Sequence, residues 1–316
     1  RAMDLLAHAV GVTPEEIRRR NYIAGGERFE NVGVASSLVF DSGHYGPNLD
    51  RALELAGVDA LRAEQARRRA DGATTHLGIG LCTYVEICGL APSRVLGSLN
   101  YAAGGWEHAV VRMLPTGKVE VVTGSTPHGQ GHETSWSQIV ADKLGVDPAD
   151  VTVLHSDTAI SPLGLDTYGS RSLAVGGVAI AMACDKVLAK ARQIAAHQFE
   201  ANPDDLVFDE GAFAVAGSPS KKVTIQEIAL GAFAAHNLPE GMEPNLQEQM
   251  TFDPPNFAFP FGTHVAVVEV DESTGDVRLL AYTAVDDCGN QVNPMIVEGQ
   301  VHGGIVQGVA QALCEE

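Results

Sequence analysis

The residues with the clearest chemical potential form one short loop, GQGHET, at residues 129–134. Gly129 and Gly131 flank Gln130, so the main chain there can take positive φ angles and approach a ligand closely. The amide of Gln130 can donate and accept hydrogen bonds at once, which suits the edge of a heterocycle. The alternative is a simple glycine turn before a surface helix, because short glycine motifs often match by chance.

Two further loops share this mixture of glycine with hydroxyl or amide groups. One is TYGSRS, and the other runs from the DDCGN motif into a helix; their candidate binding residues are Thr167, Tyr168, Gly169, Ser170, Arg171, Ser172, Cys288, Gly289, Asn290 and Gln300. Arg171 is the only cation among the three loops. This composition suits a polar, phosphate-bearing heterocycle that is held largely by neutral hydrogen bonds. The loops lack the G-x-G-x-x-G and P-loop spacings of common nucleotide sites.

Two other kinds of site compete with this interpretation. His128, His132 and Glu133 could ligate a metal together with His155 or His302, but their spacing differs from H-E-x-x-H, and we predict no protein-ligated metal. Cys288 could be a nucleophile if a basic partner lowered its pKa. A small buried hydrophobic residue is the favoured alternative for this cysteine.

A predicted β-hairpin positions the GQGHET loop. Its strands are EHAVVRML and KVEVVTG, at residues 107–114 and 118–124. The second strand runs into the loop, and a helix follows with Thr134 or Ser135 as its expected N-cap. The N-terminus of such a helix presents free N–H groups and a positive dipole end, which favours an anion.

The last third of the chain repeats this plan. Strands at 264–270 and 277–287 form a second hairpin, which leads through DDCGN into a helix at 297–313. The similarity in sequence is weak, so duplication stays open, but two such units could aim both loops at one cleft. Between them, a polar loop is predicted at 158–177 and a long apolar helix at 178–199. Because hairpins alternate with helices along the chain, we predict an α+β fold of mixed sheets and hairpins packed with helices.

Composition excludes several classes of partner. The chain has 316 residues and a net charge of −19, which argues against nucleic-acid binding and against docking on anionic lipid. It has no run of 18 apolar residues, so no membrane span is expected. Five cysteines without C-x-x-C spacing favour a reducing, cytoplasmic location. Both ends fall inside helical patterns, so we expect an internal piece of a longer polypeptide.

The motifs together resemble a known family. TPEEIRRRNYI, GQGHETSWSQIVADKLG, HSDT, LDTYGSRS and VDDCGNQVNPMIVEGQVHGG, in this order and spacing, are similar to the molybdenum-binding large subunits of the xanthine oxidase family, particularly the carbon monoxide dehydrogenase large chains. The resemblance covers nearly the whole chain. It implies the molybdopterin-binding fold of the aldehyde oxidase/xanthine dehydrogenase type. Residues 1–72 would end the first such domain and its connector, and 73–316 would form a truncated second domain with units at about 73–217 and 218–316.

The resemblance also implies a cofactor, molybdopterin cytosine dinucleotide, whose dithiolene holds the molybdenum in place of protein side chains. It puts Gln130 and Gly131 at the pterin and the metal's ligands, with Gly129, His132 and Thr134 in the same cofactor-binding loop. By the same resemblance, TYGSRS and DDCGN contact the dinucleotide, and Gln300 points back to the pterin.

A molybdenum-dependent oxidoreductase follows from this resemblance. Such enzymes oxidise CO, or hydroxylate an aldehyde, purine or other N-heterocycle, with oxygen from water. The implied partners are an iron–sulfur subunit with [2Fe–2S] clusters and an FAD subunit, in a dimer of heterotrimers. The family's substrate loop and catalytic base are expected outside the chain, so no catalytic residue is assigned and the substrate stays open. The alternatives are a non-catalytic cofactor-binding module that needs a second chain, and an unrelated metal-dependent hydrolase.

Overall fold

The computed structural model describes residues 1–23, 29–30, 39–90, 92–161 and 163–315. Its α-helices are α1 (Ala2–Val10), α2 (Pro14–Asn21), α3 (Tyr45–Ala56), α4 (Val58–Ala70), α5 (Ser93–Ser98), α6 (His132–Leu144), α7 (Val178–Phe199), α8 (Ile225–Ala234) and α9 (Pro294–Cys314). Its strands are β1 (Phe29–Glu30), β2 (Val39–Phe40), β3 (Thr75–Val85), β4 (Glu107–Met113), β5 (Val119–Thr123), β6 (Val151–Leu154), β7 (Leu206–Asp209), β8 (Ala212–Val215), β9 (Ser218–Thr224), β10 (Leu246–Phe252), β11 (Phe261–Asp271) and β12 (Val277–Asp287).

The chain divides into two compact units. The first unit contains Arg1–Cys88, Phe257–Asn290 and Gly303–Glu316, and the second contains Gly89–Asn256 and Gln291–His302. The boundary predicted at residues 72 and 73 falls inside the first unit, so the compact units divide the chain differently from the domains that the resemblance implies.

A three-stranded antiparallel sheet forms the centre of the first unit. Its order is β12-β11-β3, with β11 hydrogen-bonded on both sides. The β11–β12 pair confirms the second predicted hairpin. Side chains from this sheet and from α3 and α4 form the core, which includes Leu49, Ala52, Val58, Leu77, Leu81, Val265 and Val267.

A four-stranded mixed sheet forms the second unit, in the order β10-β4-β5-β6. The antiparallel β4–β5 pair confirms the first predicted hairpin, while β5 and β6 are parallel, with α6 in the crossover between them. Alternate residues of β4 are buried, as a sheet with one covered face requires. Helices α6, α7 and α8 contribute to the same core through Trp136, Ile180, Val187 and Ile228.

Two helical segments begin earlier than the sequence predicted. The α6 helix starts at His132, with Gly131 at the N-cap in a left-handed conformation and no side-chain cap, so the prediction of Thr134 or Ser135 as N-cap is wrong. The positive φ of Gly131, 72°, turns the chain into the helix before either hydroxyl is reached. Residues Ser172–Gly177 form a π-helical turn that leads into α7, where a loop was predicted.

Ser172–Phe199 is long and apolar enough to cross a membrane by length and composition alone. However, Ala183, Cys184 and Val187 are fully buried in the core of the second unit. The packing therefore identifies α7 as a core helix of this unit.

Candidate functional site

The GQGHET loop presents hydrogen-bond donors at the start of α6. Gly129 and Gly131 have φ angles of 99° and 72°, and the side-chain oxygen of Gln130 accepts a hydrogen bond from the His128 N–H. The amide N–H groups of Gln130 have no partner in the part of the chain that the structure describes. A Cβ at Gly129 would meet no atom within 4 Å, so the loop is open at that point. With no side chain capping α6, this helix start can receive an acceptor or an anion.

His132 adds a buried polar atom to this helix start. The residue is 8% exposed, and its ring packs against the Trp136 ring with centroids 4.3 Å apart. Burial lowers the pKa of His132, so the imidazole is neutral at pH 7. Its Nδ1 is buried and makes no hydrogen bond within the described ranges. Since buried polar atoms are normally paired, this nitrogen indicates a ligand or a bound water at the loop.

Glu133 supports the helix and is a poor base. Its Oε1 lies 3.0 Å from Nε2 of His155, whose Nδ1 lies 2.7 Å from the Ser156 hydroxyl. A hydrogen bond from its own N–H, together with His155, lowers the pKa of Glu133 despite partial burial. This agrees with the effect expected from the helix dipole. Thr134 is exposed beside it. No three metal-ligating side chains form a cluster among the described residues.

The TYGSRS loop is fixed by close contacts. The hydroxyls of Thr167 and Ser172 lie 2.7 Å apart across the loop. Gly169 and Ser170 both have positive φ angles, 56° and 55°. A Cβ at Gly169 would lie 1.9 Å from Cδ1 of Leu90, so glycine is required there for steric as well as backbone reasons.

Arg171 does not lie in this loop as a free cation. Its side chain is fully buried, and Nη1 donates to Oε2 of Glu107 over 2.8 Å, with both side chains 0% exposed. The sequence analysis named Arg171 as a candidate binding residue of this loop, and the structure turns its guanidinium into the protein interior. Glu107 is therefore a residue that sequence reasoning missed. Its position, 64 residues earlier at the start of β4, carried no local signal.

A polar pocket of about 240 Å³ lies beside these loops in the second unit. Hydroxyl and carboxylate groups dominate its lining, which includes Thr126, Ser156, Asp157, Thr158, Ser161 and Asp166. Although burial opposes ionisation, hydrogen bonds from main-chain N–H groups of Thr126 and Thr167 hold the pKa of Asp166 below its usual value. The pocket is thus acidic, and it suits a group with several N–H or O–H donors better than a phosphate. The hydroxyl-rich composition of residues 156–161 was the available signal for it.

The structure brings the start of α9 to the GQGHET loop. A Cβ on Gly131 would lie 2.9 Å from Cδ1 of Ile296, and Asn293 donates to Oε1 of Gln138 over 2.8 Å. Gln300 is exposed one turn after Ile296 on the same helix.

The DDCGN residues Cys288, Gly289 and Asn290 follow β12 in the first unit. Cys288 is exposed, so the favoured interpretation of a buried hydrophobic residue is wrong. Partial desolvation raises the pKa of its thiol, so little thiolate is present at neutral pH and the residue is a weak nucleophile.

Comparison with known proteins gives consistent matches. Residues 51–316 match a family model described as a molybdopterin cofactor-binding domain. The chain is 41% identical to the carbon monoxide dehydrogenase large chain of Hydrogenophaga pseudoflava, over 100% of this chain and 39% of that relative.

Two solved structures share the fold. Reconstituted CO dehydrogenase from Oligotropha carboxidovorans has a TM-score of 0.89 and 36% identity, over 96% of this chain and 38% of that chain. Quinoline 2-oxidoreductase from Pseudomonas putida 86 has a TM-score of 0.88 and 36% identity, over 98% and 39%. These matches confirm the predicted α+β fold, and this chain spans less than half the length of each protein.

Proposed function

The chain belongs to the family of molybdopterin cofactor-binding domains, and on that premise we propose that it holds molybdopterin cytosine dinucleotide with molybdenum in a molybdenum-dependent oxidoreductase. The observation that carries the proposal is the start of α6. An uncapped helix N-terminus, the free amide of Gln130 and the unpartnered Nδ1 of buried His132 converge in one glycine-flanked loop. These neutral donors fit a pterin bearing a phosphate, which needs hydrogen bonds to a heterocycle and to an anion.

The residues divide into two groups by the part of the cofactor that they would hold. Gly129, Gln130, Gly131, His132, Thr134 and Gln300 are assigned to the pterin end. Thr167, Tyr168, Gly169, Ser170, Arg171, Ser172, Cys288, Gly289 and Asn290 are assigned to the dinucleotide. For Arg171 the assignment concerns the main chain of its loop, because its guanidinium is paired internally.

The acidic pocket suits the nucleoside end of the dinucleotide. Its hydroxyls and two carboxylates, Asp157 and Asp166, can accept hydrogen bonds from an exocyclic amino group and from ribose hydroxyls.

When bound, the cofactor supplies the redox chemistry, in which CO is oxidised or an aldehyde or N-heterocycle is hydroxylated with oxygen from water. This chain's residues bind and orient the cofactor, and the lowered pKa of Glu133 makes it unsuited to accept a proton at neutral pH. The proposal therefore assigns no catalytic base to the chain. The names of two similar structures mention CO and quinoline, which are very different molecules. Experiment must therefore decide which substrate class this protein uses.

The proposal includes partners and location. Subunits carrying [2Fe–2S] clusters and FAD would accept the electrons, in a dimer of heterotrimers. The free thiols at Cys82, Cys184, Cys288 and Cys314 support a reducing, cytoplasmic environment.

The test is to purify the complete gene product from a host that assembles molybdenum cofactors. Metal analysis should find about one molybdenum per polypeptide, and acid hydrolysis should release CMP. Zinc in place of molybdenum, or a released nucleotide other than CMP, would reject the metal or the dinucleotide assignment respectively. Reduction of an artificial electron acceptor by CO, aldehydes or N-heterocycles then selects the substrate class.

A further inference from the structure

A buried carboxylate connects segments that precede both cofactor-contacting loops of the second unit. Glu107, at the start of β4, is 0% exposed and accepts hydrogen bonds from four groups. Its Oε2 accepts from Arg171 Nη1 at 2.8 Å, from the Ser125 hydroxyl at 3.2 Å and from the Leu165 N–H at 3.3 Å. Its Oε1 accepts from the His108 N–H at 2.9 Å. One side chain thus links β4, the turn that leads toward GQGHET, and the segment that leads into TYGSRS.

Arg171 completes the connection from the other side. Its Nη2 donates to the carbonyls of Gly105 and Trp106, at 3.1 and 2.6 Å, and its Nη1 also donates to the carbonyl of Asp166. Of the three guanidinium nitrogens of Arg171, Nε is the one without a hydrogen-bond partner among the described residues. Since arginine offers a planar fork of donors, lysine could not make this set of bonds at once.

Glycines allow the two segments to meet around Glu107. A Cβ at Gly124 would lie 2.3 Å from Cα of Gly164 and 2.6 Å from Oε1 of Glu107. A Cβ at Gly164 would lie 2.7 Å from the same oxygen. The main chains at Gly124 and Gly164 therefore pack against each other and against one carboxylate, with no space for an added side chain.

We propose that Glu107 and Arg171 form a positioning pair, which fixes the 124–131 and 164–172 segments relative to each other so that both loops are preorganised for the cofactor. The inference rests on the proposed function, and neither side chain is assigned to the cofactor itself. A buried charge pair is a weak source of net stability, because desolvation offsets its attraction. Ordering of the binding loops would explain the presence of this pair, since a binding site that is already ordered binds its ligand more tightly.

The experiment compares variants of the complete gene product that contains these residues. Removing only one charge leaves the other buried and unpaired, which can prevent folding. We therefore use the double variant E107Q/R171M, which removes both charges while keeping similar volumes, and R171K, which keeps the positive charge. The matched control is K143M/D185N, which removes the 2.8 Å pair between α6 and α7 in the same unit, where both side chains are partly exposed.

The positioning role predicts a separation between cofactor binding and stability. E107Q/R171M should release molybdenum about tenfold faster than the unsubstituted protein, as for other groups that orient a binding site without contacting the ligand. Its cofactor-free form should stay folded at the assay temperature, although its melting temperature should fall because the carbonyls of Gly105, Trp106 and Asp166 lose their donor. Hydrogen exchange in the cofactor-free form should accelerate at 124–131 and 164–172 and stay unchanged in α7. R171K should show a smaller effect in the same direction.

Two results would overturn the inference. One is unchanged molybdenum release and loop exchange in E107Q/R171M. The other is that melting temperature and molybdenum loading fall together while each folded molecule releases its cofactor at the normal rate. A purely structural role would give this result. If the unsubstituted protein carries no molybdenum, the proposed function fails instead, so the two failures are distinguishable.

Discussion

Oε1 of Glu133 lies 3.0 Å from Nε2 of His155, so the first turn of α6 is connected to the residue that follows β6. The Glu133 side chain is 53% exposed, and it also accepts a hydrogen bond from its own N–H. Both interactions favour the ionised carboxylate. The carboxylate within the GQGHET motif therefore stabilises the helix that presents the donors.

E133Q tests this role through pH. The pKa of Glu133 is lower in the folded protein than its ordinary value of 4.5, so its stabilisation is present above that value and is lost as pH falls through the folded pKa. At pH 7 we expect E133Q to reduce the free energy of unfolding by about 0.5 kcal/mol, because exposed pairs and dipole effects are small. Urea titrations should show a larger difference at pH 7 than at pH 3.

The matched control is D142N, which removes an exposed carboxylate near the other end of α6. There a negative charge faces the negative end of the helix dipole, so its removal should leave the protein as stable or slightly more stable. Equal losses for E133Q at both pH values would contradict the electrostatic explanation.

Q130A and Q300A should lower molybdenum content without unfolding the protein. Each removes an amide that has no protein partner in the described structure but is assigned to the pterin. A lost hydrogen bond to a buried ligand costs about 1–3 kcal/mol, which corresponds to roughly a 5-fold to 150-fold loss of affinity. Molybdenum content is measured by metal analysis and folding by circular dichroism. The control is Q193A, on the exposed side of α7. Full occupancy in both variants would remove these residues from the site.

Local patterns predicted much of the fold. The family resemblance is confirmed by the match over residues 51–316. Alternation in β4 and the turn residues after it were enough to identify the first hairpin, since register follows from the buried face. The N-cap of α6 was missed because a positive φ at Gly131 outweighs the preference of hydroxyl residues for that position.

Long-range partners could not be predicted from the sequence. Glu107 and Arg171 are 64 residues apart, and neither has a spacing motif that identifies the other. The exposure of Cys288 likewise depends on the path of the chain after β12, and the residues around Cys288 do not predict that path. Loop composition was enough to propose candidate binding residues, whereas the residues that hold those loops in place could be identified only from the structure.

The cysteines give a contrasting pair of substitutions. C288S should retain most of the activity and stability, because the thiol is exposed and its pKa is raised by partial desolvation, so it is neither a core group nor an activated nucleophile. C184S replaces a fully buried thiol in α7, whose pKa burial raises to about 12. Burying a hydroxyl there should cost about 1–3 kcal/mol. Turnover and urea denaturation of both variants provide the measurement, and loss of turnover in C288S with normal cofactor content would establish a chemical role for this thiol.

Gly129 and Gly131 both have positive φ angles, but only Gly131 has a close neighbour. A Cβ at Gly131 would lie 2.9 Å from Cδ1 of Ile296, whereas at Gly129 it would meet nothing within 4 Å. G129A and G131A should each cost about 1–3 kcal/mol of unfolding free energy through backbone strain. In G131A either the Ile296 side chain or the first turn of α6 must also shift.

I296A separates strain from steric contact. Truncating Ile296 gives an alanine side chain at position 131 the space it lacks, so I296A should recover about 1 kcal/mol of the G131A loss in a double-mutant cycle. The same truncation should recover nothing in G129A, which makes that pair the control. Because α6 and α9 carry groups assigned to the pterin, molybdenum content should follow the same pattern, with partial recovery in G131A/I296A only. Equal coupling energies in the two cycles would mean that Ile296 does not set the position of the GQGHET loop.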